Sequence, residues 1–253
     1  MVRSLLHGFL PWKIRELQAD CRSSNWKWSE RLRKRPGILK VESPDDKLIH
    51  GPADEDFQRA VSVLGQGGIV AFPTETFYGL AVDPFNEKAL EKLFRLKGRP
   101  FHKPFLVLVQ DENQLSELVS SIPHVFRPLM EVFWPGPLTL VFPAGSHLSS
   151  LLTGESAGIG VRISPHPVAR IFGQMWGGPM TATSANLSGM VAACTADEVR
   201  CSFGAGVDCI LDGGQTPGGM SSTVIGVCKG KLQLIRAGVI DFFSLIQVSK
   251  NEV

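Results

Sequence analysis

The chain of 253 residues is 43% hydrophobic and 20% charged, with a formal net charge of +2. Such a composition excludes a disordered chain and allows a substantial buried core. No apolar run approaches the ~20 residues needed to cross a bilayer, so we expect no membrane segment. The five cysteines are odd in number and form no CxxC pair. A disulfide framework and a zinc site are therefore not expected, and the thiols favour a reducing, cytoplasmic compartment.

Charge is unevenly distributed along the chain. Residues 1–40 hold ten Lys or Arg and three acidic residues, whereas residues 41–253 hold sixteen and twenty-one. We interpret residues 1–50 as a basic N-terminal extension, with disorder as one expectation, and residues 53–248 as one folded domain. The extension fits an organellar presequence, an RNA-contacting arm or sequence upstream of a miscalled start codon, and we favour a dispensable extension. The mildly acidic body argues against general nucleic-acid binding, which needs many cations.

From residue 53 onward, helical and strand patterns alternate. Asp54 is expected to cap a helix with apolar residues at helical spacing, and Asn86 to cap a second helix. Further helices are expected near residues 112–119, 124–133, 167–176 and 240–246. Strands are expected near residues 69–72, 105–109, 138–142, 158–163, 180–183, 207–211, 222–227 and 232–236. This interleaving predicts an α/β domain with a largely covered, mixed sheet.

The common signatures of nucleotide, metal and hydrolase sites are missing from the sequence. It contains no GxxxxGK[ST] loop, no GxGxxG after a strand, no HExxH and no GxSxG. A P-loop, a dinucleotide site of the usual kind and a metalloprotease centre are therefore unsupported. The histidines occur singly, and no residue is predicted as a metal ligand.

Cations and small polar residues gather instead at predicted strand and helix ends. Lys97, Arg99 and Lys103 lie in a Gly/Pro-rich loop, which is the best candidate anion site because Arg offers phosphate two parallel hydrogen bonds. Ser184 and Asn186 follow a strand, where backbone N–H groups remain accessible to anions. Each segment alone also fits an ordinary turn or a solvated run of charge.

Two further arginines are placed in apolar strands. Arg162 ends the run Gly158-Ile159-Gly160-Val161, and Arg236 follows Leu234-Ile235. Burying a guanidinium is costly without a partner, so both are candidates for binding an anionic ligand.

Together these segments resemble the YrdC/Sua5 family, the threonylcarbamoyl-AMP synthases, over about residues 55–246. The resemblance rests on five motifs in order: Pro73-Thr74-Glu75-Thr76, Lys97-x-Arg99, Trp134-Pro135-Gly136-Pro137-Leu138-Thr139, Ser184-x-Asn186, and Ser222-Thr223 ahead of Arg236. It implies a YrdC/RibB-like α/β fold, with a twisted mixed sheet, flanking helices and a concave ligand-binding surface. It also implies formation of L-threonylcarbamoyl-AMP and pyrophosphate from L-threonine, bicarbonate and ATP, with Mg2+ accompanying ATP.

The resemblance also implies roles for individual residues. Catalytic roles are implied for Lys97 and Arg99. ATP contacts are implied for Arg99, Lys103, Gly158, Ser184, Asn186, Ala192 and Arg236. L-Threonine contacts are implied for Thr76, Arg162, Ala182 and Ser222. Leu108 departs from the longer family members, which often carry a His there, so one polar contact is lost or supplied elsewhere. The chain also stops soon after Arg236, so we expect the short, single-domain form.

Two other functions stay open from the residues. In this family the product feeds threonylcarbamoylation of adenosine 37 in tRNA through a separate transferase complex, so a module that binds tRNA or double-stranded RNA is one alternative. The acidic body weighs against that as the main function. A phosphosugar enzyme on the related fold of dihydroxybutanone phosphate synthase would need clustered acids for Mg2+, and the motif loops offer only Glu75 and Asp212.

Overall fold

A computed structural model describes residues 51–250, so the expectations for residues 1–50 lie outside the described residues. The α-helices of this part are α1 (Asp54–Gly65), α2 (Glu87–Lys97), α3 (Glu112–Ser116), α4 (Arg127–Phe133), α5 (Ser150–Thr153), α6 (Pro167–Trp176), α7 (Ala196–Phe203) and α8 (Phe242–Lys250). Short 3-10 turns lie at His124–Phe126, Gly154–Ser156 and Gly204–Gly206. The strands are β1 (Val70–Pro73), β2 (Tyr78–Ala81), β3 (Leu106–Leu108), β4 (Leu138–Pro143), β5 (Gly158–Arg162), β6 (Met180–Thr181), β7 (Thr183–Ser184), β8 (Cys209–Ile210), β9 (Thr223–Cys228) and β10 (Lys231–Arg236).

The strands form two mixed sheets. One has the order β7-β2-β1-β8, in which only the β1–β8 pair is parallel. The other has the order β10-β9-β4-β5-β3-β6, in which β9–β4 and β5–β3 are the parallel pairs. The α/β architecture with mixed pairing is confirmed, and the strands are divided between two sheets.

The two sheets are joined through the segment Met180–Ser184. β6 pairs with β3 in the six-stranded sheet, and β7 pairs with β2 in the four-stranded sheet. Ala182 lies between them, and its N–H donates to Leu106 O at 2.8 Å. The single strand expected at residues 180–183 is therefore two short strands that belong to different sheets.

Helix ends follow local hydrogen bonding. Asn86 caps α2 as expected, because its Oδ1 accepts from Ala89 N at 3.2 Å. The expectation that Asp54 caps α1 is wrong: Ala53 holds the cap position, and the Asp56 carboxylate accepts from Ala53 N at 3.1 Å. The helix α7 was not expected, although its Thr195-x-x-Glu198 capping box was visible in the sequence.

Two apolar clusters hold the elements together. The larger one packs the buried faces of α2 and α4 against the six-stranded sheet and part of β2. The smaller one packs α1 and α6 against β1 and β8, and Leu108 of β3 lies within it. Because burial of apolar side chains is the main favourable contribution to folding, these clusters fix the sheet ends that carry the polar motifs.

Candidate active site

A cavity of about 290 Å³ lies where the ends of the two sheets approach each other. Nine of the residues selected from the sequence line it: Thr76, Arg99, Arg162, Ala182, Ser184, Asn186, Ala192, Ser222 and Arg236. Further lining residues include Thr74, Tyr78, Leu106 and Ser221, which the sequence reasoning did not assign to the site. Residues that are up to 160 positions apart thus share one wall.

The loop between β1 and β2 forms one side of the cavity. Thr74 closes this loop, since its Oγ1 donates to Phe77 O at 2.7 Å and its N–H donates to the same oxygen at 3.1 Å. Thr76 Oγ1 lies 3.2 Å from Thr74 Oγ1. Because the Thr74 hydroxyl donates to Phe77 O, the Thr76 hydroxyl is the donor of this pair, which leaves its oxygen free to accept from a ligand.

The end of α2 positions the Lys97-x-Arg99 motif. Gly98 adopts a left-handed conformation with φ 57°, which ends the helix directly after Lys97. Lys97 is only 2% exposed, and its Nζ donates to Ser184 O at 2.5 Å, Asn186 O at 2.8 Å and Asn186 Oδ1 at 3.4 Å. An ammonium has three donors, so all three are used inside the protein. Burial and the neighbouring Arg99 lower the pKa of Lys97 to about 7.

The Ser184-x-Asn186 turn therefore rests on Lys97 and presents its own polar atoms to the cavity. Ser184 Oγ donates to Asn186 Oδ1 at 2.6 Å, and the Asn186 amide donates to Met190 O at 2.6 Å. Ser188 N donates back to Lys97 O at 2.9 Å. The two halves of the motif are thus one hydrogen-bonded unit, with Lys97 behind the wall and Ser184 and Asn186 in it.

Arg99 lines the cavity, and its guanidinium lies over the aromatic ring of Phe105. Its Cζ lies 5.4 Å from the centre of the Phe105 ring, within the range of a cation–π contact. Its Nε and Nη2 donate to Lys103 O and Pro104 O at 3.2 and 2.9 Å. Burial lowers the pKa of Arg99, yet the guanidinium remains charged at any ordinary pH.

Arg162, at the end of β5, forms a buried ion pair. Its Nη1 donates to Glu75 Oε1 at 2.6 Å, and the two side chains are 6% and 7% exposed. Ser164 Oγ donates to the other oxygen, Glu75 Oε2, at 2.5 Å. Sequence reasoning assigned no role to Glu75 in this site. The available signal was a carboxylate inside one of the motifs, since an arginine expected in an apolar strand needs a negatively charged partner.

Arg236 reaches the cavity because β10 is irregular near its end. The register with β9 shifts between Leu234 and Arg236, and such a bulge redirects the side chain that follows it. Arg236 Nη2 donates to Ser222 O at 2.9 Å and to Ser222 Oγ at 3.0 Å. Ser222 Oγ also lies 2.9 Å from Thr139 Oγ1, which is fully buried. Burial lowers the pKa of Arg236, and the charges of Arg162 and Arg99 lower it further.

Three selected residues lie outside the cavity wall. Lys97 is behind it, as described. Lys103 is exposed and contributes its backbone oxygen to Arg99. Gly158 begins β5 while Arg162 ends it, which separates the two by about 13 Å along a strand. The catalytic role implied for Lys97 and the ATP contacts implied for Lys103 and Gly158 stay predictions.

Leu108 is buried in the smaller apolar cluster and is not part of the cavity wall. No polar contact with a ligand is therefore available from this position.

No group of three or more His, Cys, Asp or Glu among residues 51–250 is arranged to hold a metal ion. The cavity wall itself is formed by guanidinium, hydroxyl, amide and apolar groups. Within the same described residues, no helix is both long and apolar enough to span a membrane.

These features define an α/β protein with an arginine-rich cavity suited to anionic small molecules. The family model Sua5/YciO/YrdC, described as telomere recombination, matches residues 62–238, and the chain belongs to this family. It is 37% identical over 179 residues to the threonylcarbamoyl-AMP synthase of Pyrococcus abyssi, covering 71% of this chain and 53% of that protein. It is 39% identical over 160 residues to that of Vibrio vulnificus, covering 62% and 86%. The chain thus spans about half of the archaeal relative.

Solved structures show the same fold. The crystal structure of P. abyssi Sua5 complexed with L-threonine matches with a TM-score of 0.73 at 35% identity, covering 76% of this chain and 56% of that one. The crystal structure of E. coli YciO matches with a TM-score of 0.66 at 26% identity, covering 73% and 90%.

Proposed function

We propose that this protein is an L-threonylcarbamoyl-AMP synthase, which forms L-threonylcarbamoyl-AMP and pyrophosphate from L-threonine, bicarbonate and ATP. The observation that carries the proposal is the cavity, where three guanidinium groups from separate elements face hydroxyl-bearing residues. Relatives of that name share the fold, and one of them is known with L-threonine.

Arg162 would bind the threonine carboxylate, since a guanidinium held on one edge by Glu75 leaves its other N–H groups to a second carboxylate. The hydroxyls of Thr76 and Ser222 would accept or donate to the remaining polar groups of the amino acid, and Ala182 would pack beside it. Positioning the amine near bicarbonate is what the carbamate-forming step requires.

Arg99 and Arg236 would hold the triphosphate, with Ser184 and Asn186 beside it and Ala192 at the wall. The amine and bicarbonate form the carbamate with release of one water. The carbamate oxygen then attacks the α-phosphorus, and pyrophosphate leaves. Such a transfer depends on alignment and charge neutralisation and needs no covalent nucleophile. Because the wall has no carboxylate to hold a metal, we propose that Mg2+ enters only as the counter-ion of ATP.

We further propose that the product passes to a separate transferase complex that modifies tRNA, and that the protein is cytoplasmic. The cysteines at positions 194, 201, 209 and 228 are all free, as is usual in a reducing compartment. The cavity is sized for small molecules, and no feature of residues 51–250 favours the RNA-binding module over the synthase.

The test is pyrophosphate release from ATP with L-threonine and bicarbonate present together or omitted singly, with a mass spectrum of the product. We expect release only with all three. Arg99→Ala should lower kcat/KM by two orders of magnitude or more, since one transition-state donor contributes about 3 kcal/mol. Arg95→Ala, which removes an exposed arginine from the last turn of α2, four positions before Arg99, is the matched control. Release without threonine, or equal rates in the two variants, would refute the proposal.

A further inference from the structure

The three arginines of the cavity differ in their partners. Arg162 is paired with Glu75 at 2.6 Å, and both side chains are buried. Arg99 and Arg236 donate only to carbonyl and hydroxyl oxygens, and neither forms an ion pair with any residue between 51 and 250. Arg162 therefore carries its counter-charge, whereas Arg99 and Arg236 are uncompensated cations. We call the part of the cavity beside Arg162 the Arg162 half, and the part beside Arg99 the nucleotide half.

The loop between β1 and β2 places Glu75 beside Arg162. It lies between Thr74 and Thr76, which both line the cavity, yet its two carboxylate oxygens accept from Arg162 and Ser164. Because Glu75 is not itself part of the wall, it acts on a ligand only through Arg162. It holds one edge of the guanidinium and offsets part of its charge, although the remaining field of Arg162 still lowers the pKa of Arg236.

The two substrates of the proposed function differ in the same way. An amino acid is a zwitterion with no net charge, whereas ATP and pyrophosphate carry several negative charges. In a partly buried site, an uncompensated cation attracts a polyanion far more strongly than an ion pair does. An arginine with its counter-ion can still offer two aligned donors to a carboxylate.

We propose that Glu75 sets the specificity of the Arg162 half of the cavity: by pairing with Arg162 it favours a zwitterionic amino acid there over polyphosphate. Glu75 is thus a positioning residue that keeps the two substrates in separate halves. This role rests on the proposed function, because it assumes that an amino acid and a nucleotide bind together.

Glu75→Gln tests the charge with almost no change of shape, since the amide can still accept from Arg162 and donate to Ser164 Oγ. Calorimetric titration with inorganic pyrophosphate is the direct probe. In the wild type, saturating pyrophosphate should change the Kd for L-threonine by less than threefold. In Glu75→Gln it should raise that Kd at least tenfold, because pyrophosphate now also occupies the Arg162 half. A loosened structure would weaken threonine binding without creating this competition.

Two further variants separate charge from geometry. Glu75→Asp keeps the charge but shortens the side chain, so threonine should bind less tightly while pyrophosphate still fails to compete. Glu91→Gln, which removes an exposed carboxylate paired with Arg95, should behave as the wild type.

Competition in the wild type, its absence in Glu75→Gln, or equal competition in the Asp and Gln variants would overturn the proposal. Competition in the wild type would overturn the proposal even if Glu75→Gln does not fold. These titrations need no turnover, so they are independent of pyrophosphate release. If the wild type binds no threonine at all, the proposed function fails together with this inference.

Discussion

Replacing Phe105 by Leu should disturb both the core and the nucleotide half of the cavity. Phe105 is 1% exposed, and its ring centre lies 4.2 Å from that of Phe94 and 5.4 Å from the Arg99 guanidinium. Loss of the aromatic pair costs about 1 kcal/mol, and the smaller side chain loses about 1 kcal/mol of apolar burial. Loss of the cation–π contact adds about 1 kcal/mol. The free energy of unfolding should therefore fall by about 3 kcal/mol.

Denaturant unfolding measures this loss, and titration with a non-hydrolysable ATP analogue measures the effect on Arg99. We expect affinity to fall about fivefold, which corresponds to the cation–π share alone. Phe126→Leu is the control, because Phe126 is equally buried and pairs with Phe142 at 5.1 Å, while no cation among residues 51–250 lies over its ring. It should lower stability and leave nucleotide affinity unchanged. Equal affinity losses in the two variants would refute the reasoning.

Three further substitutions test the site and its supports. Lys97→Met keeps the volume but removes the donors under Asn186, so affinity for the ATP analogue should fall tenfold or more, as expected for charged hydrogen bonds. Because the wild-type pKa lies at about 7, its affinity should also weaken as pH rises through that value, and a pH-independent wild type would contradict this. His166 Nδ1 accepts from the N–H of Val168 at 3.3 Å, and burial lowers its pKa from 6.5 to about 4. Between pH 6.5 and 4 the unfolded chain therefore binds a proton on His166 that the folded chain does not, so the free energy of unfolding should decline by up to about 3 kcal/mol as pH falls through this range. His166→Asn keeps an acceptor at the helix cap and should reduce this pH dependence, as measured by unfolding at several pH values. Thr139→Val removes the hydroxyl beside Ser222 and should raise KM for L-threonine about fivefold, with KM for ATP unchanged. Steady-state kinetics with an unchanged KM for L-threonine would show that Thr139 does not position Ser222 for the substrate.

Local patterns predicted much of this molecule. The helix from Glu87 to Lys97 could be located because Asn86, an apolar face and Gly98 all give short-range signals. Cations and small polar residues at element ends likewise indicated Arg99, Ser184 and Asn186, whereas the other small residues of the wall were implied by the family resemblance. These features depend on neighbours within a few positions, which a sequence displays directly.

Long-range features could not be derived in this way. Glu75 and Arg162 are 87 positions apart, and only the packing of the two sheets brings them within 2.6 Å. The orientation of the Lys97 side chain also depends on a long-range contact. Its charge suggested a phosphate ligand, but the turn at Ser184 packs against it and accepts its hydrogen bonds. Periodicity also gave no sign that the run around Ala182 changes sheets.

The passage of Met180–Ser184 from one sheet to the other has a mechanical consequence. Its middle residue, Ala182, lines the cavity, and the Ala182 N–H donates a hydrogen bond to Leu106 O. The neighbouring Thr181 N–H donates to Val82 O at 3.1 Å. The two sheets are thus joined by hydrogen bonds beside the cavity. A change in the angle between the sheets therefore has to change the shape of the cavity. A ligand that fills the cavity should in turn restrict the motion of one sheet relative to the other.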